Sequence, residues 1–177
     1  MAVGYAQPNE SRLLCHYPYL DGIIETSVII VKDNNNHVIG TSSITKDGPY
    51  GLCVDSVFKD EVDKIRDECL YLNKNLGAVW RMITINNYRG YIQLILSLIH
   101  YTSIIAFDYY NLDIILYMIH PKHVAWYEKN LGFYILSGPR LDHSVNMQPA
   151  MLMRGDKDKV QYYLEQILRK PARVVYI

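Results

Sequence analysis

The chain carries no excess of either charge. Eighteen basic residues balance eighteen acidic ones over 177 positions, so no global field recruits nucleic acid or an anionic membrane surface, and binding must come from a local site. Cysteine is scarce. Cys15, Cys53 and Cys69 show no paired metal-ligand spacing, and an odd number in an ordinary core suits a reduced protein of the cytoplasm better than a disulfide framework. The first residues, Met-Ala-Val-Gly-Tyr-Ala-Gln-Pro, have neither the basic start nor the apolar run of a signal peptide. A long unbroken hydrophobic run is also lacking. The longest apolar stretch, Tyr91 to Phe107, is interrupted by Gln93, Ser97, His100, Thr102 and Ser103. It falls short of the roughly 20 apolar residues of a membrane span, which leaves a buried helix as the expectation.

Half of the residues are hydrophobic, enough for one substantial core and too few positions for two, so a single domain over residues 1–177 is expected. Residues 1–24 are rich in Pro, Tyr and polar residues without a sustained period and read as an irregular arm. Thr26 to Lys32 is β-branched and apolar, Asp33-Asn34-Asn35-Asn36 is a turn cluster, and Val38 to Ile44 returns, which predicts a hairpin. From Lys59 to Asn73, Val62, Ile65, Cys69 and Leu72 recur at helical spacing. Val79 to Ile85 then reads as a strand, Tyr91 to Phe107 as the buried helix, and Leu112 to Ile119 as a strand inside a sheet, a parallel crossover. Pro121 opens a helix to about Asn130 that Gly132 ends. Phe133 to Leu136 and Ala150 to Arg154 are short strands, and Asp156 starts a last helix to about Arg169. The fold class is α/β with a mixed sheet.

The stretch His120-Pro121-Lys122-His123-Val124-Ala125-Trp126-Tyr127-Glu128-Lys129-Asn130-Leu131-Gly132-Phe133 resembles a signature of the GCN5-related N-acyltransferase superfamily, a strand entering a helix whose tyrosine is followed by Gly-Phe. Two further segments, Gly4-Tyr5-x-x-Pro8-Asn9-x-Ser11-Arg12-Leu13 and Gly48-Pro49-Tyr50-Gly51-Leu52-Cys53-Val54-Asp55-Ser56-Val57-Phe58, look like the branch of long-chain N-acyl amino acid synthases. The resemblance implies a mostly antiparallel sheet flanked by helices, with a splayed central parallel pair. It also implies an acyl-pantetheine thioester as donor, carried by acyl carrier protein or coenzyme A, and an amino acid or small amine as acceptor. No permanently bound cofactor or metal is implied.

By the same resemblance the pantetheine arm pairs with Val79 to Ile85 as an added strand, and a backbone N–H near Arg81 or Met82 polarises the thioester carbonyl. Tyr127 falls where the superfamily places its general acid, and it is the leading catalytic candidate; the lesser alternative is a ring that only packs under the sheet. Trp80 and Trp126 either wall the acyl chain or fill core. His120, at the end of the second parallel strand, or Glu25 would serve the amine. His120 and His123 lack a third partner of metal-ligand type.

Three departures from the family pattern stand out. The phosphate loop reads Arg89-Gly90-Tyr91-Ile92-Gln93-Leu94, with bulky residues where the superfamily has two glycines; this argues against a tight pyrophosphate cradle and for a single phosphate meeting Arg89 and Gly90. Ala78 stands where the synthases tend to carry a glutamate, so another carboxylate such as Glu25 or Glu68 would reach the amine, or the amine arrives neutral. A non-catalytic thioester-binding or partner-binding module is the alternative, and an acetyl-coenzyme A enzyme is a third reading. Family members also have a helix ahead of the Gly4-Tyr5 segment, which is expected to be missing; an incomplete pocket would expose apolar surface for a partner or a homo-oligomer.

Overall fold

The computed structural model describes residues 17–85 and 92–169. Six strands form one sheet in the order β1-β2-β3-β4-β6-β5, where β1 is Thr26–Lys32, β2 Val38–Lys46, β3 Leu76–Thr84, β4 Ile114–Ile119, β5 Tyr134–Asp142 and β6 Gln148–Asp156. Every neighbouring pair is antiparallel except β3 and β4. The helices are α1 (Asp55–Leu72), α2 (Ile92–Ile104), α3 (Val124–Leu131) and α4 (Lys157–Leu168).

Local chemistry accounts for the elements. The β1–β2 hairpin closes on Asp33, whose Oδ1 accepts from the backbone N–H groups of Asn35 and His37, both at 2.9 Å, while Asn36 takes the left-handed φ of +67° that such a turn needs. Helix α1 begins four residues before the sequence pattern suggests and contains a non-helical residue, Phe58, at φ −125°. Gly132 at φ +67° ends α3. Strand β5 runs well past Leu136, through Gly138 and Pro139; it lies at the edge of the sheet, where a missing N–H is tolerated.

Alternation of side chains along the strands builds two cores, one on each face. One holds Val79, Ile115, Tyr117 and Met153 with α2, α3 and α4. The other holds Leu76, Ala78, Trp80, Leu116 and Leu152 with α1 and the Tyr17–Leu20 segment. Helix α2 continues through a π-turn, Ile105–Tyr109. Together they make an 18-residue stretch, Ile92–Tyr109, of mean hydropathy 1.3 and one-third buried. By length and composition alone that stretch is sufficient to cross a bilayer. Here it lies along the sheet, with Leu98, Ile99, Ala106 and Phe107 buried, and it is less enclosed than the sequence suggests.

The parallel pair is closed at one end. Asp113 accepts from Asn75 N–H at 2.8 Å through its side chain, and Ile114 N–H donates to the Asn75 carbonyl at 3.2 Å. Gly77 sits at this junction; a Cβ there would meet Leu112 Cδ1 at 2.4 Å and the Thr45 carbonyl at 2.8 Å. Gly77→Ala is therefore expected to lower stability by about 1–3 kcal/mol through overpacking, read from urea denaturation.

Candidate active site

β3 and β4 pair only from Leu76 with Ile114 to Val79 with Tyr117. Beyond that register β3 continues to Thr84 and β4 to Ile119 without pairing to each other, so the sheet opens into a V. A cavity of about 500 Å³ fills the opening, within the range of small-ligand sites. Its walls are mostly apolar.

One strand of the V is kinked. Between the pairs Thr41–Ile83 and Ser43–Trp80, β2 contributes Ser42 alone while β3 contributes Arg81 and Met82, which defines a β-bulge. Arg81 adopts φ +54°, left-handed for a residue with a Cβ and costing on the order of 1 kcal/mol. Its side chain holds it there. The guanidinium Nη2 donates to both Asp21 carboxylate oxygens, at 3.0 and 2.8 Å, and lies 4.3 Å from the Trp80 ring centroid. The bulge interrupts the β2–β3 register at Arg81 and Met82, both of which line the cleft.

On the α2–α4 side, Tyr127 reaches the cleft from α3. Its ring makes edge contacts with Tyr117, Trp126 and Phe133 at centroid separations of 5.2, 5.2 and 5.9 Å, and its hydroxyl points to Met82 Sδ at 3.7 Å. The side chain packs and also presents its hydroxyl to the cleft. Burial raises the Tyr127 pKa above the ordinary phenol value, opposed by a hydrogen bond from Tyr117. Tyr127 thus keeps its proton at neutral pH, as a proton donor must.

On the α1 side the cleft is walled by Trp80, Tyr17, Cys53 and the end of β5. The Trp80 indole N–H donates to Thr45 Oγ1 at 3.0 Å, and the Tyr17 ring stands edge-on to Trp80 at 5.4 Å. The Tyr17 hydroxyl and Ser144 Oγ are 2.9 Å apart; Ser144 Oγ in turn donates to Asp142 Oδ1 at 2.7 Å. Cys53 is a buried thiol whose pKa burial pushes up, so it is no nucleophile.

The structure brings together Trp80, Arg81, Met82, His120 and Tyr127 around one cavity. Two expectations are corrected. Glu25 lies against Gly48 at the other end of the hairpin and does not line the cleft. Ala78 is fully buried in the α1-side core, within the paired part of β3, so it is no acceptor-site position. Glu68 is occupied by Arg154, at 2.7 and 2.9 Å. His120 lines the cavity, but its Nδ1 accepts from Lys122 N–H at 3.2 Å; the neutral ring then carries its proton on Nε2 and offers the cleft a donor. Arg89 and Gly90 lie outside the described residues. Asp142 and Tyr17 were not identified from sequence, since they come from opposite ends of the chain. The Asp-x-Ser spacing at 142–144 is a local turn signal, and it carries no hint of a cleft.

A family model for the N-acyl amino acid synthase FeeM matches residues 1–156. The chain belongs to that family. The solved structure of FeeM, an N-acyl amino acid synthase from uncultured soil microbes, superposes with a TM-score of 0.74 at 24% identity, covering 94% of this chain and 84% of that one. The spermidine N-acetyltransferase of Vibrio cholerae, solved with CoA and spermine, superposes with a TM-score of 0.58 at 17% identity, covering 89% and 82%. No curated protein sequence matches. The mixed six-stranded sheet with its one parallel pair, flanked by helices, is thus the fold shared with these N-acyltransferases.

Two outcomes follow from burial. Ala78→Glu places an unpaired carboxylate in the α1-side core, where it is expected to cost about 3–5 kcal/mol in urea denaturation and to add no activity. Tyr17, Tyr117 and Tyr127 all have folded-state pKa values raised chiefly by burial. Their stability contribution is complete below the unfolded phenol value near 10 and is lost as pH rises towards the folded values. The urea midpoint is expected to hold to about pH 9.5 and fall steeply above about pH 10, together with tyrosinate absorbance.

Proposed function

We propose that this protein is an N-acyltransferase that moves a long-chain acyl group from the pantetheine thioester of acyl carrier protein to the amino group of an amino acid or similar small amine. The observation that carries this reading is the V between β3 and β4, with the Arg81 bulge on one arm and the Tyr127 hydroxyl beside it at Met82.

The pantetheine amides hydrogen-bond along the unpaired part of β3, supplying the strand that β4 does not. This sets the thioester carbonyl against the backbone of Arg81 and Met82 at the bulge. The amine attacks that carbon, a C–N bond forms, and negative charge collects on the carbonyl oxygen. A preorganised donor in a dry cleft contributes roughly 3 kcal/mol to stabilising that charge. The C–S bond then breaks; Tyr127 delivers its proton to the departing thiolate and takes back the proton that the attacking nitrogen sheds, so that amide and free thiol leave and the phenol is restored. Because the sulfur leaves into the same low-dielectric cleft, its basicity rises along with that of the phenol, so the two stay matched.

Membership in the synthase family supports an amino acid acceptor and a long acyl chain. The bulky side chains that follow Arg89-Gly90 in the sequence, Tyr91, Ile92, Gln93 and Leu94, favour a carrier-bound arm with one phosphate over coenzyme A with its pyrophosphate. The spermidine N-acetyltransferase, held with CoA and spermine, supports a thiol carrier and an amine as the substrate classes. The alternative of a non-catalytic module was drawn from Ala78, a core residue, and nothing at the cleft now favours it.

The test is product formation by mass spectrometry, with dodecanoyl acyl carrier protein and a pool of the common amino acids. An acylated amine is expected from the wild type, with kcat about 100-fold lower in Tyr127→Phe, whose ring packing is intact. Bound acyl carrier without product from the wild type would overturn the transferase reading.

A further inference from the structure

Asp142 is the one acidic side chain that lines the cleft among the described residues. It is the last residue of β5 and only 3% exposed. Its Oδ1 accepts two hydrogen bonds, from Ser144 N–H at 2.8 Å and Ser144 Oγ at 2.7 Å. Ser144 Oγ also meets the Tyr17 hydroxyl at 2.9 Å, and Tyr17 is braced against Trp80. The carboxylate is therefore held through Oδ1 by Ser144, which Tyr17 in turn braces. Its Oδ2 has no hydrogen-bond partner among the described residues, and the guanidinium nearest in the lining, Arg81, is engaged by Asp21.

A carboxylate that is 3% exposed, faces a mostly apolar cleft and pairs with no cation among the described residues is costly to keep charged. Proteins retain such a group where a ligand supplies the missing charge. The surroundings define that ligand. It carries a compact cation with several N–H donors, it is attached to an apolar or aromatic body that fits beside Trp80 and Tyr17, and it enters from the α1 side, across the cleft from Tyr127. An ammonium group meets the first requirement.

We propose that Asp142, positioned by Ser144 and Tyr17, seats the ammonium group of the acceptor. This rests on the acyltransfer reading for the identity of the acceptor, although the site itself is defined by the carboxylate. It takes the role expected of Glu25, which lies outside the cleft, and it explains why an amine acceptor would be selected over an alcohol of the same shape. An alcohol leaves the carboxylate without its counter-charge, whereas an ammonium restores it.

The test uses benzylamine as probe and benzyl alcohol as its uncharged counterpart, with binding measured by saturation-transfer NMR on the whole protein. Asp142→Asn preserves the bonds from Ser144, because the amide oxygen accepts them, and leaves the fold intact by thermal melt. Benzylamine is expected to bind the wild type and to lose about tenfold or more in affinity in Asp142→Asn, with benzyl alcohol unaffected. Tyr17→Phe, a change to a positioning residue, is expected to raise the acceptor KM and leave kcat within about twofold. Equal benzylamine binding to wild type and Asp142→Asn, or none to the wild type, overturns the assignment. Asp142-dependent binding without acyl transfer upholds this site and refutes the transferase reading. Acyl transfer with an acceptor KM unchanged in Asp142→Asn does the reverse.

Discussion

Two adjacent strands that start in register and then part are the constraint on which the rest of this molecule depends. β3 and β4 are tied at one end by the Asp113–Asn75 bonds and by four paired residues. After Val79 and Tyr117 each strand continues without the other. A sheet interior left unpaired would ordinarily be penalised by its orphaned amides. Here that part of both strands walls an apolar cavity, which the proposed thioester arm would enter as an added strand.

The same opening explains why side chains from both cores reach one space. Residues alternate across the sheet, so Val79, Met82, Tyr117 and Tyr127 face α2–α4, while Trp80, Tyr17 and Asp142 face α1. In a closed sheet the two sets would never meet. The V brings the Tyr127 hydroxyl from one face and the Asp142 carboxylate from the other to one cavity, which in the proposed reaction would separate the departing thiol from the arriving amine. The bulge refines this arrangement. Arg81 accepts a left-handed backbone because Asp21 and Trp80 clamp its side chain, so local strain is offset by long-range contacts that form only in the folded chain.

Much of the scaffold was legible in the sequence because its signals are local. The Asp33 turn, the Gly132 cap and the apolar strand at Ile114–Ile119 follow from a few consecutive residues. The Tyr127 helix was recognisable from its motif. What escaped has physical reasons. β5 was cut short because Gly138 and Pro139 disrupt a strand pattern, yet an edge strand tolerates them. The apolar run of α2 suggested deeper burial than a helix lying over the outer half of a sheet receives. The Arg81 bulge has no glycine to announce it. Asp142, Ser144 and Tyr17 meet across more than a hundred residues, so their association exists only in three dimensions. Ala78 shares the α1 side with Trp80, and it is its position along β3, in the part still paired with β4, that keeps it out of the cleft lining.

The measurement that addresses the central claim most directly is a crystal structure with a thioether analogue of dodecanoyl-pantetheine, in which a methylene group blocks cleavage. The expected result is a pantetheine arm hydrogen-bonded along β3 beyond Val79, its acyl carbonyl facing the Arg81–Met82 backbone and its sulfur beside the Tyr127 hydroxyl. An arm bound elsewhere, or a cleft in which β3 and β4 close on each other to exclude it, would contradict the claim that the splay exists to receive a thioester.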